Sequence, residues 1–87
     1  MQELAMAVRS RLKIVIAEYN VSRLKAGHDA LGIREIAGEV GLAPSIITGL
    51  TTNRTKRVDY QTLNKLCAFF KVQPGELLEY VPDESNK

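Results

Sequence analysis

Apolar side chains recur at helical intervals along most of the chain. Leu4, Val8, Leu12, Val15 and Tyr19 are spaced by threes and fours, which predicts a long amphipathic first helix with Arg9, Arg11 and Lys13 on or near its wet side. Leu63, Leu66, Cys67 and Phe70 form a stripe at i, i+3, i+4 and i+7, and Asp59 stands ahead of it as a good N-cap. Gln73, Pro74, Gly75 and Glu76 start a final short helix with proline in its first turn. Its Leu77, Leu78 and Tyr80 are expected to close the bottom of a bundle before Pro82 ends it. Tyr19, Phe69, Phe70 and Tyr80, also at helical spacing, read as core. No alternating run is long enough to predict a strand, so the pattern predicts an all-α chain, with disorder in residues 83–87.

The most specific stretch is Ile33 to Thr52, IREIAGEVGLAPSIITGLTT. Ile36 and Val40 share one helical face, and Ala37 beside them is small where a second helix must cross. Gly41 stands where the first helix stops and the chain reverses, a position that suits a left-handed backbone. The turn then runs only from Gly41 to Ala43. Pro44 fits the first position of the next helix, because its fixed φ suits a helix and its missing N–H is unneeded there. Ile46, Ile47 and Leu50 give that helix a buried side, while Ser45, Thr48 and Thr52 point the other way. Two short helices crossing at a tight turn make a helix-turn-helix.

These residues resemble the Xre type of helix-turn-helix, the family of phage repressors, Cro proteins and many small bacterial regulators. Arg11 to Ile16 is similar to the family's first helix, and TNRTKRVDYQTLNKLCAFFKVQPGELLEY to its loop, fourth helix and fifth helix. The resemblance spans nearly the whole chain. It implies an all-α, five-helix lambda-repressor-like domain over residues 1–82, with the helix-turn-helix at 33–52 and a recognition helix at 44–52 entering the major groove of double-stranded DNA. One segment departs from the family: NVSRLKAGHDALG intervenes between Tyr19 and Ile33 where a short turn is usual. An added helical turn followed by a loop around Gly27 to Gly32 is expected there, with Arg23 and Lys25 solvated.

Composition bounds the alternatives. A chain of 87 residues has room for one domain with a modest core. No stretch is apolar for long enough to span a membrane, and the N-terminus lacks a signal-peptide pattern. A cytoplasmic, nucleoid-associated location is therefore expected. The lone Cys67 rules out an intramolecular disulfide and any multi-thiolate metal site, and its stripe position suits a small core hydrophobe. His28 has no second ligand at metal-binding spacing, and no catalytic constellation appears. No cofactor, no metal and no enzymatic activity are expected.

The formal net charge of +2 conceals an asymmetry. Residues 1–72 hold eleven Lys and Arg against six Asp and Glu, a net +5, whereas residues 73–87 hold one against four, a net −3. Between Gly41 and Val58 stand three basic residues and no acidic one. This electropositive strip is where phosphates are expected.

The resemblance carries residue roles onto this strip. Arg54, Lys56 and Arg57 match loop positions that grip the DNA backbone, and in any other context they would read as a solvated charge run. Arg34 matches a position where glutamine often donates to phosphate. Thr52 and Asn53 complete the expected backbone set, and asparagine tolerates the left-handed conformation such a turn requires. Base edges are expected opposite Pro44, Ser45, Thr48 and Gly49. Hydroxyls serve several bases, and Pro44 and Gly49 offer only shape and apolar contact, so modest direct specificity aided by DNA deformability is expected. The resemblance further implies a small transcriptional regulator, a repressor by this reading, binding two-fold symmetric sites as a homodimer. A second reading is a protein-interaction module, such as an antitoxin component with weak DNA binding.

Overall fold

The N-terminal apolar spacing does not become a single helix. Residues Ala7–Ser10 form a strand, β1, and helix α1 starts only at Leu12 and runs to Lys25. Strand β1 pairs antiparallel with β2, Leu78–Val81, so that Val8 faces Tyr80 and Arg9 faces Glu79. The computed structural model describes residues 7–55 and 57–81. The expectations for Leu4, Lys56, Pro82 and the 83–87 tail fall outside them.

The ribbon corrects three expectations at once. The chain is mostly helical but not all-α, Val8 belongs to a strand, and the last helix, α5, is only Pro74–Leu77 before the backbone straightens into β2. Tyr80 is consequently 65% exposed and not core. The physical reason is mutual: neither four-residue segment is a strand alone, but each supplies the other's backbone partners. Two bonds, one long-range and one local, fix the change of direction. The Arg11 N–H donates to the Leu77 carbonyl at 2.7 Å, and the Ser10 hydroxyl accepts the Leu12 N–H at 3.0 Å where α1 begins.

Between α1 and the ribbon lie α2 (Ile33–Val40), α3 (Pro44–Thr51) and α4 (Tyr60–Phe70). Every helix sends residues to one core: Leu12 and Val15, Ile36 and Ala37, Ile47 and Leu50, Leu66 and Phe70, and Leu77. Tyr19 and Phe69 each meet the core residue Phe70 edge-on and each other at a tilt of 47°, with ring centroids 4.9 to 5.3 Å apart, a favourable aromatic geometry. Cys67 is half-buried against the same cluster. Ile46, expected on the buried side of α3, is 38% exposed at the rim.

The segment after Tyr19 is helical to Lys25 and then turns at Gly27, whose φ of +89° is left-handed. Asn20 ties the following loop back to the helix. Its amide donates to the Leu31 carbonyl at 3.0 Å and its carbonyl oxygen accepts the Leu31 N–H at 2.8 Å. Arg23 Nε donates to the Asp29 carbonyl at 2.7 Å. The loop is thus held by these polar contacts and by Leu31, which packs partly buried against the core, and His28 is exposed within it.

Candidate nucleic-acid interface

Helices α2 and α3 meet at the turn that the glycine and proline positions dictate. Gly41 ends α2 with φ +89°, and the N–H groups of Gly41 and Leu42 both donate to the Ala37 carbonyl, at 2.9 and 3.0 Å. Lys65 of α4 donates through Nζ to the Gly41 carbonyl at 3.1 Å, placing a cation at the negative end of α2. At the other end of α2 the Glu35 carboxylate accepts the Gly32 N–H at 2.8 Å. Ala43 is extended and Pro44 opens α3. Ala37 and Ile47 are almost wholly buried, so a close helix crossing sets the pose of α3.

The outer side of α3 presents Pro44, Ser45 and Thr48, all exposed. Thr52 is also exposed, and its hydroxyl donates to the Thr48 carbonyl at 2.8 Å, closing the helix end. Gly49 is different. It is half-buried, and a Cβ placed on it would overlap the Thr55 hydroxyl. Its carbonyl also accepts the N–H groups of Arg54 and Thr55, at 2.9 and 3.2 Å. Glycine here lets the following loop fold back over α3.

Asn53 takes the left-handed conformation, with φ +59°. Its side chain turns toward the ribbon, where Oδ1 accepts the Ser10 N–H at 2.8 Å and Nδ2 donates to the Ser10 carbonyl at 3.4 Å. Arg54 and Arg57 stand exposed on the loop beyond it, and Arg34 is exposed in the first turn of α2. The position of Lys56 lies outside the described residues. Asp59 then caps α4 by accepting the Thr62 N–H at 2.8 Å. That bond, reinforced by Lys65 nearby, holds its carboxyl below the ordinary aspartate range.

Two basic residues that sequence spacing left on a solvated helix face join this region. Arg9, on β1, lines a cleft with Ser10, Asn53, Thr55 and Arg57. Lys13, on α1, borders a shallow groove with Ile33, Thr51 and Thr52 at the end of α3. Lys13 was recognisable as a basic wet-side residue. Arg9 was not placeable, because the strand that carries it depends on a partner near the other end of the chain. Among the described residues the single ion pair is Arg11 with Glu79, 3.8 Å apart, and it takes no residue from α3 or its loop. Helix α3 itself is uncharged, and Arg54 and Arg57 on the loop after it have no acidic partner among the described residues. Among those residues, too, no group of three His, Cys, Asp or Glu side chains could hold a metal, and no helix is long and apolar enough to cross a membrane.

A short, pinned helix pair with one exposed face and an acid-free loop is the framework of a DNA-binding helix-turn-helix. Residues 11–83 match the Cro/C1-type HTH DNA-binding domain, and the chain belongs to that family. It is also similar, at 30% identity over 56 residues, to YozG of Bacillus subtilis (strain 168), described as an uncharacterized HTH-type transcriptional regulator. The similar region covers 64% of this chain and 67% of that one. No solved structure matches the chain.

Proposed function

We propose that this chain regulates transcription, as a repressor, by seating α3 in the major groove of operator DNA. The reading rests chiefly on the exposed face of α3 followed by a loop that carries Arg54 and Arg57 and no acid before Asp59. Arg34, Thr52, Arg54, Lys56 and Arg57 contact the DNA backbone, most of the affinity coming from the arginines and lysine as counterions leave the phosphates, while Asn53, its side chain engaged with Ser10, shapes the turn that presents them. Arg9 and Lys13 extend this positive rim. Ser45 and Thr48, flanked by Pro44, face the base edges. Gly49 serves there by letting α3 and its loop approach closely. Residues 1–82 act as one domain, in the cytoplasm at the nucleoid, and two copies bind half-sites about one helical turn apart.

Direct base readout is thin on this face, since hydroxyls discriminate bases poorly and Gly49 has Thr55 folded over it. That observation keeps a second reading in play, a partner-binding module of the antitoxin kind that holds DNA weakly. Fluorescence anisotropy on random duplex and on promoter duplex, titrated with salt, separates the two. A steep loss of binding with salt and a tighter promoter complex support the regulator. Absence of binding to either duplex at low salt sinks it and turns attention to a protein partner.

A further inference from the structure

Helix α1 is apolar on two opposite sides. Leu12, Val15, Ile16 and Tyr19 pack on the core, whereas Ile14, Ala17, Val21 and Leu24 are exposed on the far side. The exposures are 45% for Ile14, 50% for Val21 and 59% for Leu24, large for apolar side chains on an ordered helix. Their spacing is i, i+3, i+7 and i+10, the a and d positions of two heptads, with β-branched residues at both a positions and leucine at the second d. Nothing in the described fold needs this stripe. Asn20 and Arg23 hold the loop that follows α1, so it folds away from the stripe and leaves Val21 and Leu24 uncovered.

We propose that this stripe is the self-association surface of the protein, and that its occupant is the same helix of a second copy. The charge pattern favours that partner. Lys13 borders the stripe on one side and Glu18 and Lys25 on the other. In a parallel pair Lys13 meets the second copy's glutamate five residues further on, and in an antiparallel pair Glu18 meets the second copy's lysine at position 25. Opposite charges therefore face each other in either direction. One helix face of this length buries less than a permanent dimer interface, so association is weak and concentration-dependent, on the order of micromolar. The inference deepens the proposed two-fold binding of DNA and rests on that reading.

Sedimentation equilibrium of the whole chain, alone and on promoter duplex, tests it. Wild type should show a monomer–dimer equilibrium without DNA, and Val21→Glu or Leu24→Glu should weaken it at least about tenfold. Both sites are exposed, so the helical circular dichroism should not change. The salt dependence of DNA binding per protomer should also stay as in wild type. A dimer that survives both substitutions overturns the inference, as does one that Tyr80→Ser dissociates instead, which would move the contact to the ribbon. A wild-type chain that binds DNA yet stays monomeric, free and bound, overturns it too. Failure of wild type to bind DNA sinks the regulator reading separately, because the DNA-free arm still reads self-association.

Discussion

Asn53 holds both backbone groups of Ser10, accepting its N–H at 2.8 Å and donating to its carbonyl at 3.4 Å. One side chain just past the end of α3 thus fastens the N-terminal strand, and does so from a left-handed backbone with φ +59°. Asn53→Gly keeps the conformation and loses the bonds, whereas Asn53→Ala also strains the backbone. We expect a loss of about 1 kcal/mol for the glycine variant and roughly 1 kcal/mol more for alanine. Urea denaturation ranks the two, and an alanine variant as stable as the glycine one would refute the strain.

Gly49 offers a test in which two effects have opposite signs. Alanine for glycine inside an exposed helix normally stabilises by up to about 1 kcal/mol. Here the new methyl group would meet the Thr55 side chain. Gly49→Ala should therefore destabilise, by about 1–3 kcal/mol, and Thr55→Ala in the same chain should recover much of the loss. Thermal melts of the two single variants and the double variant complete the cycle. Additive effects would show that the two side chains do not compete.

For DNA, the roles of loop and helix face should separate cleanly. Arg54→Ala and Arg57→Ala should each weaken random and promoter duplexes alike and flatten the log–log salt slope by about 0.9. Ser45→Ala and Thr48→Ala should leave the slope alone and narrow the gap between the two duplexes. An arginine variant that changes only the promoter complex would reverse the assignment.

The cap at Asp59 has a pH signature. Its carboxyl sits below its usual value of 3.8 because the ionised form accepts the Thr62 N–H. The folded state thus binds this proton more weakly than the unfolded chain, so the contribution is whole above the unfolded value and is lost as pH falls through the folded one. Asp59→Ala should be less stable than wild type at neutral pH, with the difference closing as pH falls below about 4, while Asp59→Asn keeps a capping acceptor that does not titrate. Chemical denaturation at a series of pH values reads this, and a gap that persists unchanged into strong acid would contradict it.

The crossing of α2 and α3 depends on a small residue. Ala37 is 1% exposed in the core. Ala37→Leu should cost about 1–3 kcal/mol or more by overpacking, and should also reduce DNA affinity by tilting α3. Intact affinity in a folded Ala37→Leu chain would mean that the pose of α3 tolerates a wider crossing.

The helix-turn-helix was legible in the residues themselves because its determinants are local. Gly41 frees the turn, Pro44 starts α3, Ile36 with Val40 and Ile47 with Leu50 stand at helical spacing, and Asp59 caps α4, each within a turn or two of what it governs. The family resemblance pointed to the same segment, and the match over residues 11–83 agrees with it. What sequence alone could not decide lies at the two ends. Val8 to Leu12 spacing suits a helix equally well, and only the arrival of Leu78–Val81 beside Ala7–Ser10 makes a strand the better state, since extended backbone needs a partner from far along the chain. Tertiary structure likewise turned Asn53 inward to Ser10, folded Thr55 over Gly49 and left the far side of α1 bare. Local periodicity and caps settle the inner helices α2 to α4; which terminal segments pair as strands, which face of a helix is covered, and which side chains are drawn into the ribbon depend on contacts between residues far apart in sequence.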